Sequence, residues 1–71
     1  MREYVVIYET GSTNWSAYVP DLPGCVSTGA TREETEQSIR EAIAFHLRGL
    51  KEDGLPIPEA TCLAGTVQVA A

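Results

Sequence analysis

Few side chains in this sequence have the chemistry for catalysis. His46 is the only histidine, and Cys25 and Cys62 are the only cysteines. A Cys25–His46 pair would need a thiolate held in an electropositive setting. No basic residue lies near Cys25 in sequence, so a small buried apolar role fits that thiol better. Zinc ligands are clustered at short, regular spacings, and one histidine with two distant cysteines lacks that pattern. Neither a catalytic centre, a metal site nor a cofactor site is expected. Three readings of His46 stand beside one another: a packed histidine bonded to the backbone or sheet, a pH-sensitive contact at a subunit or partner interface, or a metal-binding or catalytic residue. Cys62 is assigned no role.

The element that carries His46 is the strongest local signal in the chain. Thr31 with Glu34 fits a capping box, and Glu33 and Glu34 suit the positive end of a helix dipole. At the other end Asp53-Gly54-Leu55-Pro56 has the form of a Schellman stop, with Leu55 folding back toward Leu50. Between them Ile39, Ala42, Ile43, His46, Leu47 and Leu50 recur at helical spacing. A helix over about 32–53 is predicted. Phe45 falls to one side of that apolar stripe, among Ser38, Ala42 and Gly49, where it either borders the core or meets another element.

Ahead of the helix, 2–9 is rich in β-branched and aromatic residues and reads as a strand. Val5 and Ile7 point one way, and Tyr4, Val6 and Tyr8 the other. Thr10 to Asn14 is turn-like, and 15–19 forms the hairpin partner. A hairpin symmetric about Ser12 would set Ile7 opposite Ala17, Val5 opposite Val19 and Val6 opposite Tyr18. Pro23-Gly24 suits a type II turn, and 25–28 reads as a third strand. After the helix, Leu55-Pro-Ile-Pro-Glu59 is too proline-rich for a central strand, whereas 66–70 alternates valine with polar residues and reads as the last strand. The order is β-β-β-α-β, an α+β domain with one helix on one sheet face. Tyr4, Val6, Tyr8 and Tyr18 would then share the bare face, a patch suited to a contact surface.

Seventy-one residues allow a single domain, spanning 1–71, and one of that size gains from oligomerisation. Ten acidic side chains against five basic ones give a formal charge of −5, which disfavours binding to nucleic acid and suits a basic partner. The N-terminus lacks the pattern of a signal peptide, and no apolar run reaches membrane-spanning length, so a cytoplasmic protein is expected.

The segments Tyr18-Val-Pro-Asp-Leu-Pro-Gly-Cys25, Ser27-x-Gly29-x-Thr31-x-Glu33-Glu34, and Glu41-Ala-Ile43 through His46-Leu47, Leu50, Glu52-Asp-Gly54 and Ile57-Pro58-Glu59 resemble the HicB-like antitoxin family. The resemblance runs from about Tyr4 to Glu59. It implies a partial ribonuclease H-like fold: an antiparallel three-stranded sheet with a final strand parallel to the first. It further implies neutralisation, by stoichiometric binding, of a small basic HicA-type toxin that cleaves mRNA. Many HicB proteins add a C-terminal DNA-binding domain. This sequence shows none after Glu59, so a stand-alone form without direct DNA binding is expected. The alternative is a structural or regulatory homo-oligomer, a dimer or tetramer, with no toxin. Ribonuclease H-like chemistry needs several carboxylates converging on two metal ions. Glu3 and Glu9 lie at the two ends of the first strand, and 63–71 holds no carboxylate. That set is incomplete, and the fold alone does not make a nuclease. The residues expected at a partner or oligomer interface are Tyr4, Val6, Tyr8, Tyr18, Phe45 and His46.

Overall fold

The computed structural model describes residues 2–71. Three strands, β1 (Ile7–Thr10), β2 (Trp15–Tyr18) and β3 (Val26–Gly29), precede one helix, α1 (Arg32–Glu52). The strands form an antiparallel sheet in the order β1-β2-β3, with β2 central. No strand follows the helix among the described residues, so the predicted strand over 66–70 is not observed. A strand is defined by its partner, and the sheet edge beside β1 is left unpaired.

The helix ends follow the sequence signals. The Thr31 hydroxyl accepts from the Glu34 N–H at 3.1 Å, and the Glu34 carboxylate accepts from the Ala30 N–H at 3.1 Å. The latter bond lies one residue earlier than a strict capping box sets it. At the C-terminus Gly54 takes φ of 69°, its N–H donates to Lys51, and the Leu55 N–H donates to the Leu50 carbonyl at 2.9 Å. Those are the two bonds of a Schellman motif.

The hairpin differs from the predicted one by a single residue. Ile7 pairs with Tyr18 and Tyr8 with Ala17, so the two strands are symmetric about the bond between Ser12 and Thr13. The Gly11 N–H donates to the Asn14 carbonyl at 2.7 Å and closes a shorter turn than the five-residue loop expected. Because side chains alternate between faces, this shift changes which residues of β1 accompany which residues of β2. β1 also starts later than predicted. In this register Val5 falls opposite Pro20, which has no N–H to give a ladder.

The core is small: Ala17, Val19, Leu22, Cys25 and Ile39 are buried, and Leu22 is wholly enclosed. Leu22 owes its position to two consecutive turns. Its N–H donates to the Val19 carbonyl, and its own carbonyl accepts from the Cys25 N–H at 3.0 Å, with Gly24 at φ 83° between. Cys25 therefore packs as an apolar core residue, and desolvation pushes its thiol pKa up. The polar Thr35 is also fully buried, its hydroxyl donating to the Thr31 carbonyl at 2.8 Å.

Helix and sheet meet most closely at Gly29. A Cβ there would lie 2.6 Å from Thr35 Oγ1 and 2.9 Å from the Thr35 backbone nitrogen. Only a hydrogen fits. Gly29→Ala is expected to cost about 1–3 kcal/mol, read as a lowered urea midpoint. Gly49, on the same helix with open space around its Cβ position, serves as the contrast. Gly49→Ala should raise stability by about 0.5–1 kcal/mol through backbone entropy. Equal effects of the two substitutions would contradict the packing described.

Candidate functional site

Ala17 is buried against the helix, and its partner Tyr8 shares that side of the sheet. Tyr4 and Val6 pack on the same core with Ala42, Ile43 and Leu47. Tyr18, paired with Ile7 and Val26, is on the opposite side. Tyr4, Val6, Tyr8 and Tyr18 thus do not form one patch. Three face the helix, and the fourth faces out. The cause is the one-residue register difference. The bare face instead carries Val5, Ile7, Tyr18 and Val26, of which Tyr18 is 41% and Val26 64% exposed. Ile7, Tyr18 and Val26 form one apolar row across the end of the three strands, and Glu9, Ser16 and Thr28 form the next row on that face.

Phe45 projects from the helix at 73% exposure, the most exposed aromatic side chain among the described residues. His46 is half-buried on the same helix. Neither belongs to the Tyr18 face, since the helix covers the other side of the sheet. The expected interface residues therefore fall on three surfaces: the outer sheet face, the solvent side of α1, and the groove between α1 and β1.

That groove arises because the helix leans over β3 and β2 more than over β1. It has a volume of about 220 Å³ and is lined by Tyr4, Val6, Tyr8, Ile39 and Ile43, with Glu36 and Arg40 at its rim. Arg40 pairs with Glu36 at 3.1 Å, and the Arg32 guanidinium sits 5.0 Å from the Tyr8 ring centre. A second cleft, near the end of α1, is lined by Leu47, Ile57, Arg2, Arg48 and Lys51. It gathers three of the five basic side chains of an acidic protein. Arg2 reaches Glu59 at 3.8 Å across solvent, a contact of little energetic weight.

The densest polar cluster is one that the sequence did not announce. The Asp21 carboxylate accepts from the Thr61 N–H at 3.1 Å, the Thr61 hydroxyl at 2.9 Å, the Cys62 N–H at 3.1 Å and the Cys62 thiol at 3.3 Å. Forty residues separate Asp21 from Thr61, and neither residue type signals such a contact. Together with the Tyr4 hydroxyl donating to the Pro58 carbonyl at 2.7 Å, this clamp fixes the path of the chain after the helix. The donors hold the Asp21 pKa below the usual carboxylate range, the Cys62 amide foremost. Asp21 in turn pushes the Cys62 thiol up, first through the hydrogen bond. Both thiols of the protein are thus disfavoured as thiolates. Among the described residues no three His, Cys, Asp or Glu side chains converge to hold a metal ion. Nor, among the described residues, is any helix long and apolar enough to cross a membrane.

The described residues thus form one helix laid over a three-stranded antiparallel sheet, with the outer sheet face open. The structure superposes on a chain of the HicA3 and HicB3 toxin–antitoxin complex with a TM-score of 0.67 and 29% identity, over 78% of this chain and 64% of that one. Residues 4–70 match the HicB_like antitoxin of bacterial toxin–antitoxin systems, and the chain belongs to that family. Among curated proteins it is 41% identical over 49 residues to a UPF0150 protein of Helicobacter pylori, covering 69% of this chain and 68% of that protein. It is 34% identical to a UPF0150 protein of Thermoplasma acidophilum, over 82% of this chain and 84% of the relative. An uncharacterised 14.9 kDa protein of Haemophilus phage HP1 is 37% identical over 80% of this chain, a match spanning 43% of the phage protein.

The clamp gives a pH prediction. A carboxylate whose pKa is lowered on folding contributes stability that is present above its unfolded pKa, about 3.9, and is lost as pH falls through the lower folded value. The Thr61 and Cys62 amide resonances should therefore stay fixed from neutral pH down to about that value and shift together below it. Asp21→Asn should give the shifted spectrum already at neutral pH while leaving the Ile39 and Leu22 resonances in place. Titration of those amides near neutrality in the unsubstituted protein would contradict the clamp.

Proposed function

We propose that this protein is an antitoxin that works by binding: it neutralises a small, basic HicA-type mRNA interferase through a stoichiometric complex, without cofactor or catalysis. The observation that carries this reading is the family match over residues 4–70, joined to the likeness with a HicA3–HicB3 complex. The formal charge of −5 supports it, since an acidic surface accelerates encounter with a basic partner. Action in the cytoplasm accords with an mRNA-cleaving target. Direct DNA binding is not part of the proposal, because phosphate contacts need clustered cations that this surface offers only in one small cleft.

The toxin is proposed to dock on the outer sheet face, with Tyr18 as the central anchor and Val5, Ile7 and Val26 around it. Tyrosine suits that role, burying a large ring while keeping its hydroxyl wet. Phe45 and His46, on the helix side, are proposed as a separate contact surface, for a further subunit. A homo-oligomer of the kind discussed below leaves the Tyr18 face free, so toxin binding and self-association are compatible.

The test is growth rescue and co-elution with a co-expressed HicA-type toxin. The unsubstituted protein should restore growth and elute with the toxin in fixed stoichiometry. Val26→Asp, at an exposed position where folding is little affected, should weaken the complex by about tenfold or more. Failure of rescue against every expressed HicA-type toxin would overturn the proposal. Rescue undiminished by Val26→Asp and Tyr18→Ala together would move the docking site elsewhere and refute the surface assigned here.

A further inference from the structure

The segment beyond the Asp21 clamp packs on nothing in its own chain. Leu63 is 96%, Val67 86% and Val69 80% exposed. Such values are unusual for apolar side chains so closely spaced. The radius of gyration, 14.0 Å, exceeds the roughly 11 Å of a compact chain of this length. The longest dimension, 48 Å, also exceeds the length of about 32 Å that 21 helical residues span. An extended arm that projects from the domain accounts for both.

Two unsatisfied features face each other in character. The arm has the alternation of a strand, Thr66-Val67-Gln68-Val69-Ala70, with both valines on one side. The domain has an unpaired sheet edge at β1 and, directly beside it on the helix side, the apolar groove lined by Tyr4, Val6, Tyr8, Ile39 and Ile43. A strand added to that edge would turn alternate side chains into the groove, and its backbone would satisfy the open N–H and C=O groups of β1. Val67 and Val69 have the spacing and size for it.

The same chain's arm is held away from that edge. After the helix the chain passes Tyr4 at Pro58 and is pinned at Thr61 and Cys62 by Asp21, in the connection between β2 and β3. That path runs across the end of the sheet from β1 toward β2 and β3, away from the free side of β1. We propose that residues 66–70 add as a strand to the β1 edge of a second copy, and that the second copy returns its own arm, giving a two-fold strand-exchanged dimer. Reciprocal exchange closes the assembly, buries four valines and removes both open edges. The outer sheet face, where the toxin is placed, takes no part.

The experiment uses the full chain. Sedimentation velocity on the unsubstituted protein should give a dimer, and Val67→Asp/Val69→Asp a folded monomer. The dissociation constant should rise by more than about a hundredfold, since each buried valine contributes about tenfold or more. These residues are exposed within the single chain, so the far-ultraviolet circular dichroism should not change. In a Cys62→Ser background, mixing Tyr8→Cys chains with Val69→Cys chains should yield a mixed disulfide dimer under mild oxidation. A Val26→Cys chain, with the thiol on the outer sheet face, should yield none above background with Val69→Cys. A monomer at about 10⁻⁴ M, well above the dissociation constants of stable oligomers, would overturn the proposal. So would a dimer that survives the double aspartate substitution, or cross-linking no better with Tyr8→Cys than with Val26→Cys. Loss of toxin binding with the dimer intact would count against the antitoxin reading alone.

Discussion

The contact between Gly29 and Thr35 sets the geometry of the whole domain. β3 ends at Gly29 and the helix starts at Arg32, so the connection is too short to let the helix wander. It must lie against β3, and it comes close because Gly29 offers no side chain at the point where Thr35 is buried. Thr35 can be enclosed at little cost because its hydroxyl is satisfied within the helix by the Thr31 carbonyl. One turn on, Ile39 drops onto Ala17, Val19, Leu22 and Cys25 and completes the core. The same lean toward β3 leaves β1 thinly covered, and the groove lined by Tyr4, Val6 and Tyr8 is the direct result.

A core of five buried apolar side chains is small even for a chain of this length. Local devices supplement it. The helix is capped at both ends, the connection from β2 to β3 is folded through two successive turns around Leu22, and the Asp21 clamp ties the segment after the helix back to that connection. Each device satisfies backbone groups that would otherwise face water or be orphaned. Tertiary burial holds these pieces together: of the buried apolar side chains, Ala17, Val19, Leu22 and Cys25 come from β2 and its connection to β3, and the helix adds Ile39.

The helix was fully legible in the sequence, because its signals are local: the Thr31 cap, the apolar spacing from Ile39 to Leu50, and the Gly54 stop all act within a few residues. The Pro23-Gly24 turn was legible for the same reason. The family resemblance, too, was carried by residues of these local motifs. What sequence could not supply was pairing at a distance. The turn from Thr10 to Asn14 is polar throughout and compatible with either an odd or an even loop, so the register was free by one residue. Tyr4, Val6 and Tyr8 were consequently assigned to the sheet face opposite to the one they occupy. The stretch from Thr66 to Ala70 has the pattern of a strand, but pattern describes a strand's faces and not its neighbour. Thr35 carries no apolar signal of its burial, and Asp21 none of partners that lie forty residues on.

The parity of that first hairpin has an evolutionary side. With Gly11 bonded to Asn14, the turn counts an even number of residues, and this count alone decides that tyrosines 4 and 8 look inward while Ile7 and Tyr18 look outward. Adding or deleting one codon in this polar, exposed loop would change no side chain in the core. It would nevertheless exchange the outward set of β1 for the inward one against an unchanged β2. Substitutions adjust a binding face one residue at a time, whereas an insertion of this kind replaces half of it in a single event. In a lineage under pressure to change partners, the cheapest route to a new surface runs through the length of a loop that touches nothing.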